Sequence, residues 1–162
     1  MFLYHGGTDI VEKPEIRLAN RPLDFGDGFY TTSNLEQASS FAIKRAEFRN
    51  LPVGIVNIFD FDEKVMAKYK VLQFDYADEV WFDFVVNCRR GGKEFQNFDL
   101  ISGPVANDNV FRTIDFYEAG VYSKSQALEQ LLADKLANQF VFFSTELIGS
   151  LQFVRYIEVK ND

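Results

Sequence analysis

At 162 residues, 47% of them hydrophobic and 18 of them Phe, the chain suits one domain with a well-buried core and is not a disordered segment. A formal net charge of -7 repels a phosphate backbone, which places nucleic acid behind a protein or a small molecule as partner. Cys88 is the sole cysteine, the start Met1-Phe2-Leu3-Tyr4-His5 lacks the basic-then-apolar pattern of a secretory signal, and no apolar run approaches the ~18 residues of a membrane span, so the expected setting is the cytoplasm, with no disulfide and no membrane.

In chain order, Phe2-Leu3-Tyr4 followed by His5-Gly6-Gly7 predicts a strand that delivers one polar side chain to a cleft. Residues 8 to 27, with Pro14 and Pro22, read as a long loop. Ser33 and Glu36 have the spacing of a capping box for a helix to Arg49, with Ala38, Phe41, Ala42 and Ala46 on its inner face. Val53 to Phe61 and Val71 to Phe74 read as strands. Tyr76 to Arg90 carries Val80, Trp81, Phe84, Val85 and Cys88 at helical spacing, and Gly91-Gly92 stops it. Asp99 to Pro104 predicts a strand, Asp108 to Glu118 a helix, and Ser123 to Leu136 an amphipathic helix. Strands over Gln139 to Ser144 and Leu151 to Lys160 close the chain. No internal repeat or linker divides residues 1–162, and the irregular alternation of strands and helices predicts a single α+β domain.

Among the chemical motifs, Asp24-Phe25-Gly26-Asp27-Gly28-Phe29-Tyr30-Thr31-Thr32 stands out: two glycines permit close approach of backbone to a ligand, and the aromatic pair offers a face for a flat heterocycle. It is not a Rossmann turn, because the third glycine is replaced by Thr31. One His and one Cys far apart cannot build the usual nitrogen–sulfur metal site, and Cys88 on an apolar helical stripe reads as a packing residue.

His5-Gly6, the Gly26-Asp27-Gly28-Phe29-Tyr30 segment, the string Ser102-Gly103-Pro104-Val105-Ala106-Asn107-Asp108 and the strand Gln139-Phe140-Val141-Phe142-Phe143 together resemble the ADP-ribosyltransferase superfamily of the His-Tyr-Glu type, in an uncharacterised bacterial branch. The resemblance implies a split β-sandwich of two mainly antiparallel sheets with flanking helices, and NAD as substrate. It casts His5, Tyr30 and Gln139 as the catalytic set: His5 on ribose hydroxyls, Tyr30 on the nicotinamide ring, Gln139 at the nicotinamide ribose where most members have Glu. His5, Gly6, Gly28, Phe29, Tyr30 and Thr31 would contact the dinucleotide. It further implies transfer of ADP-ribose to a macromolecule, more readily a protein than a nucleic acid, and a toxin held in check by a small antitoxin protein.

Cleavage of the nicotinamide–ribose bond passes through an oxocarbenium-like state, for which holding and charge stabilisation matter more than a nucleophile on the protein. Gln139 keeps hydrogen bonding but brings neither charge nor basicity, so a carboxylate such as Glu146 or Asp108 would have to assist, the acceptor be nucleophilic already, or turnover be slow or absent. An NAD glycohydrolase, or a non-catalytic nucleotide-binding or protein-interaction module, are the alternatives. Arg17 and Arg21 are candidate partners of a pyrophosphate.

Overall fold

A computed structural model describes residues 1–18, 23–105, 108–132 and 137–161. Expectations resting on Arg21, Ala106, Asn107, the Asp108 side chain and Leu136 lie outside the described residues. Among the described residues seven strands are present: β1 (Phe2–Gly7), β2 (Phe29–Thr32), β3 (Gly54–Asp60), β4 (Val71–Gln73), β5 (Leu100–Pro104), β6 (Asn138–Phe142) and β7 (Gln152–Val159). They form one sheet in the order β4-β5-β6-β2-β1-β3-β7, in which the β4–β5 pair is parallel and the other pairs antiparallel. With helices α1 (Leu35–Phe48), α2 (Glu79–Arg89), α3 (Asp108–Glu118), α4 (Lys124–Leu132) and α5 (Thr145–Ile148), the architecture is α+β.

The expectation of two separate sheets is corrected by the hydrogen bonding: β2 pairs with β1 on one side and β6 on the other, so the halves are continuous. The joint is nevertheless thin. β1 runs beside β3 from Phe2–Asp60 to Gly7–Ile55, and β2 runs beside β6 from Phe29–Phe142 to Thr32–Gln139, yet β1 and β2 meet in register at Tyr4–Thr32 alone. Beyond that pair the C-terminal end of β1 and the N-terminal end of β2 part.

Two faces follow from the strand period of two. On one face, Tyr4 packs with Ala38, Ala42 and Val56 under α1, while Tyr30, Val141 and Ile101 join Trp81, Phe82, Phe84 and Val85 under α2, α3 and α4. On the other face, Leu3, Phe29, Phe59, Phe61, Leu100 and Phe142 pack with Leu147 and Ile148 of α5.

Several local expectations are corrected. The cap of α1 is Asn34, whose side chain accepts from the Gln37 amide, in place of Ser33; Thr32 Oγ1 meanwhile accepts from the Asn34 amide and ties the helix start to the sheet. Phe41 is 55% exposed, because Ala38, Ala42 and Ala46 lie so close to the sheet that a ring has no room on that face. Gly6 and Gly54 are the sheet's half of that contact: a Cβ on Gly6 would overlap the Ala38 carbonyl, and one on Gly54 would stand 2.5 Å from the Ala42 carbonyl carbon and oxygen.

α2 begins later than expected, where Asp78 accepts from the Trp81 amide, and Val80 in its first turn points outward, 67% exposed. Gly91, at φ +89°, supplies the expected stop, its amide donating to the Cys88 carbonyl. Two 3-10 turns, Glu63–Lys68 and Glu94–Asn97, and the short α5 have no counterpart in the sequence reading. Among the described residues no helix is long and apolar enough to cross a membrane.

Candidate functional site

His5 lies two residues before the end of β1 and stands just past the last β1–β2 pair. Its imidazole fills the place of a ladder bond: Nδ1 lies 2.8 Å from the Tyr30 carbonyl oxygen, and the ring stacks on Phe29 with centroids 4.4 Å apart. A carbonyl only accepts, so Nδ1 carries the proton and Nε2 of the neutral ring presents a lone pair. Among the described residues Nε2 makes no hydrogen bond. Burial pushes the His5 pKa below its usual value, with the Tyr30 carbonyl pulling weakly the other way, so the neutral acceptor form is favoured at neutral pH.

Tyr30 presents its backbone to His5 and its side chain to the opposite face. The ring packs against the cluster under α2–α4, and the hydroxyl accepts from the Phe25 amide at 3.1 Å and donates to the Gly26 carbonyl at 2.8 Å. Burial drives its pKa well above the ordinary phenol value, and the charges of Asp24 and Asp27 add to the rise. This hydroxyl stays protonated and pins the loop before β2; it has no basic role.

The glycines divide by what covers them. Gly26 has φ +88°, and a Cβ there would strike the Phe95 ring; a Cβ on Gly28 would meet Val141 at 2.6 Å and the Phe142 carbonyl at 2.8 Å; Gly6 faces α1. All three are filled by protein. Gly7 differs: among the described residues, its chain neighbours aside, the only atom within 4 Å of its would-be Cβ is His5 Nε2, at 3.7 Å, and its φ is ordinary. Thr31 donates from Oγ1 to the Phe140 carbonyl and Phe29 is buried, so both serve the sheet before any ligand.

Gln139 opposes Thr32 on β6 and is 4% exposed, its amide nitrogen 3.4 Å from the Pro104 carbonyl. It shares a face with Tyr30, which lies diagonally across the strand pair at a Cα separation of about 7–8 Å by sheet geometry. By register and by its stack on Phe29, His5 belongs to the other face. The three residues thus gather around the β1–β2–β6 joint, but their side chains do not converge on one surface. Glu146 does not stand beside Gln139: it lies on α5, beyond the opposite end of β6, near enough to Tyr69 for its charge to help raise that phenol's pKa. Cys88 is buried with its thiol pushed up to about 12 by burial, as suits a packing residue. Arg17 is exposed beside Glu15. Among the described residues no group of His, Cys, Asp and Glu could hold a metal ion.

Asn57 is not among the residues that sequence reasoning singles out, yet it is fully buried and directly opposite His5 on β3. Its Oδ1 accepts from the Val11 amide at 2.8 Å and its Nδ2 donates to the Asp9 carbonyl at 3.0 Å, which fixes the chain leaving Gly7. Arg49, capping α1, donates to Thr8 Oγ1 at 2.7 Å and lies 3.6 Å from an Asp9 carboxylate oxygen, holding the same segment from outside. The available signal is a lone amide inside the apolar run Ile55 to Phe59.

The open end of the β1–β2 joint, with His5 Nε2 and Gly7, is the candidate site. No curated protein and no solved structure matches the chain. A family model described as a protein of unknown function, DUF3990, matches residues 1–153, and the chain belongs to that family.

Proposed function

We propose that this domain binds NAD at the parting of β1 and β2 and transfers ADP-ribose to a macromolecular acceptor, a protein in preference to a nucleic acid. The observation that carries the reading is the His5 Nδ1–Tyr30 carbonyl bond, which fixes the tautomer and leaves Nε2 as an acceptor for a ribose hydroxyl. Gly7 leaves room beside that nitrogen. In the reaction the C1′–nitrogen bond of the nicotinamide riboside breaks with its electron pair leaving on nicotinamide. The acceptor's nucleophile bonds to C1′ and gives up its proton. The fold's part is to hold the ribose, and the finer architecture of the superfamily, a sheet split beside the site, accords with the thin joint at Tyr4–Thr32.

A second reading, binding without turnover, is favoured by Gln139: it is buried and uncharged where a carboxylate would serve the reaction, and Glu146 lies on α5, beyond the far end of β6. Incubation with NAD labelled in the adenylate half separates the readings. Release of nicotinamide with label on a protein supports transfer; release without label supports hydrolysis; binding with neither supports the module; no binding at all defeats the proposal. A toxin restrained by a small partner is the biological setting that the resemblance suggests for the first outcome.

A further inference from the structure

A dinucleotide brings a diphosphate, and a chain with a formal net charge of -7 repels it unless a cation stands at the site. The end of β1 supplies one. Arg49, the C-cap of α1, reaches the residue that follows Gly7: its Nη1 donates to Thr8 Oγ1 at 2.7 Å. Thr8 Oγ1 donates in turn to Asp9 Oδ2 at 3.1 Å, and the same carboxylate oxygen lies 3.6 Å from Arg49 Nη1. A guanidinium and a hydroxyl thus converge on one negatively charged oxygen, one residue beyond the glycine that borders His5 Nε2.

The Asp9 carboxylate marks this as a place that takes an oxyanion, and it is held there weakly. Asn57 fixes the backbone of Asp9 through its carbonyl, but the side chain is 78% exposed and its pair with Arg49 is long. An open ion pair of this kind contributes little, so a stronger oxyanion displaces it at small cost. A diphosphate is the stronger one, because its oxygens match the planar fork of a guanidinium and accept two of its N–H groups at once. Arg49 has the capacity: only Nη1 is engaged among the described residues, which leaves the hydrogens on Nε and Nη2. Arg17, the other described candidate for this role, lies exposed beside Glu15. His5 and Gly7 share one face of β1 and Thr8 turns to the other, so a ligand that uses both passes round the end of the strand, where β1 and β2 have parted.

We propose that Arg49 and the Thr8 hydroxyl hold the diphosphate of the dinucleotide, which takes the place of the Asp9 carboxylate, so that Asp9 competes with the ligand for Arg49. This rests on the NAD reading, and isothermal titration with two ligands tests the two separately: NAD, and nicotinamide riboside, which keeps the nicotinamide ribose and lacks the diphosphate. Arg49→Gln should weaken NAD at least about tenfold and change nicotinamide riboside by no more than about twofold. Asp9→Asn should act in the opposite direction, tightening NAD by up to about fivefold, because its backbone carbonyl still meets Asn57 and only the competing charge is gone. NAD binding should also fall less steeply with salt in Arg49→Gln than in the unaltered chain. Equal NAD affinity in a folded Arg49→Gln variant, equal weakening of both ligands, or a weaker NAD complex in Asp9→Asn would each overturn the assignment and leave the NAD reading standing. Should Arg49→Gln not fold, the sign of the Asp9→Asn effect decides alone. Failure of both ligands to bind the unaltered chain overturns the reading and the assignment together.

Discussion

The two glycine-bearing strings, His5-Gly6-Gly7 and Gly26-Asp27-Gly28, look alike in sequence and have opposite surroundings in the fold. Gly26 and Gly28 are covered by Phe95 and by β6, and Gly6 is covered by α1; among the described residues a Cβ on Gly7 would meet only His5 Nε2, at an ordinary contact distance. A glycine records that something comes close to the backbone, and in three of these four positions that something is the protein itself. The lesson is that, of these four, the glycine not covered by the fold's own core among the described residues is the second one after His5, not the pair that frames Asp27.

The contrast breaks first, if it breaks, at Gly26. Gly26→Ala must adopt a left-handed backbone and displace the Phe95 ring, and a loss of about 2–5 kcal/mol in urea unfolding is expected; a stable variant would refute the packing account. Asn57→Leu comes next, because it strips the Asp9 carbonyl and Val11 amide of their partner in a buried place; the expected loss is about 2–3 kcal/mol, with faster proteolysis in the segment after Gly7. Tyr30→Phe removes the hydroxyl that joins Phe25 to Gly26, for about 1–3 kcal/mol, and should leave the His5 contact intact because that contact is to backbone.

Gly7→Leu sharpens the comparison from the other side. Its backbone conformation accepts an L-residue, so stability should change by no more than about 1 kcal/mol, yet the new side chain covers His5 Nε2 and NAD binding should be lost. Isothermal titration of a variant with unchanged melting would decide it, and retained affinity would remove Gly7 from the site. The smallest effect is on pH dependence. The folded chain holds His5 below the ordinary value of 6.5, so under that pH the unfolded chain takes up a proton that the fold refuses. Stability should therefore rise with pH from the lowered value up to about 6.5 and gain nothing from His5 above it, and the His5→Gln variant should lack that component of the rise.

Much of this is legible in sequence where one physical rule acts alone. The strands of β1, β3 and β5 follow from apolar runs bounded by glycine or proline, and the stop after α2 follows from Gly91, which takes the left-handed conformation that the stop requires. Features set by neighbours distant in the chain are not legible in this way. Phe41 has the spacing of an inner-face residue, but the alanine–glycine contact of α1 with β1 and β3 leaves no space for it. Nothing local marks Asn57 as the partner of Asp9 and Val11, because that role exists only once β3 lies beside β1. His5 is legible as a candidate, since a single imidazole beside two glycines invites attention, but its tautomer depends on the carbonyl of Tyr30, 25 residues away.

Because the chain has one histidine, selective nitrogen-15 labelling of histidine reads His5 without ambiguity. The account predicts a neutral ring at pH 7 with the proton on Nδ1 and an Nε2 signal that moves when NAD is added; a proton on Nε2, or an Nε2 signal indifferent to saturating NAD, would contradict it.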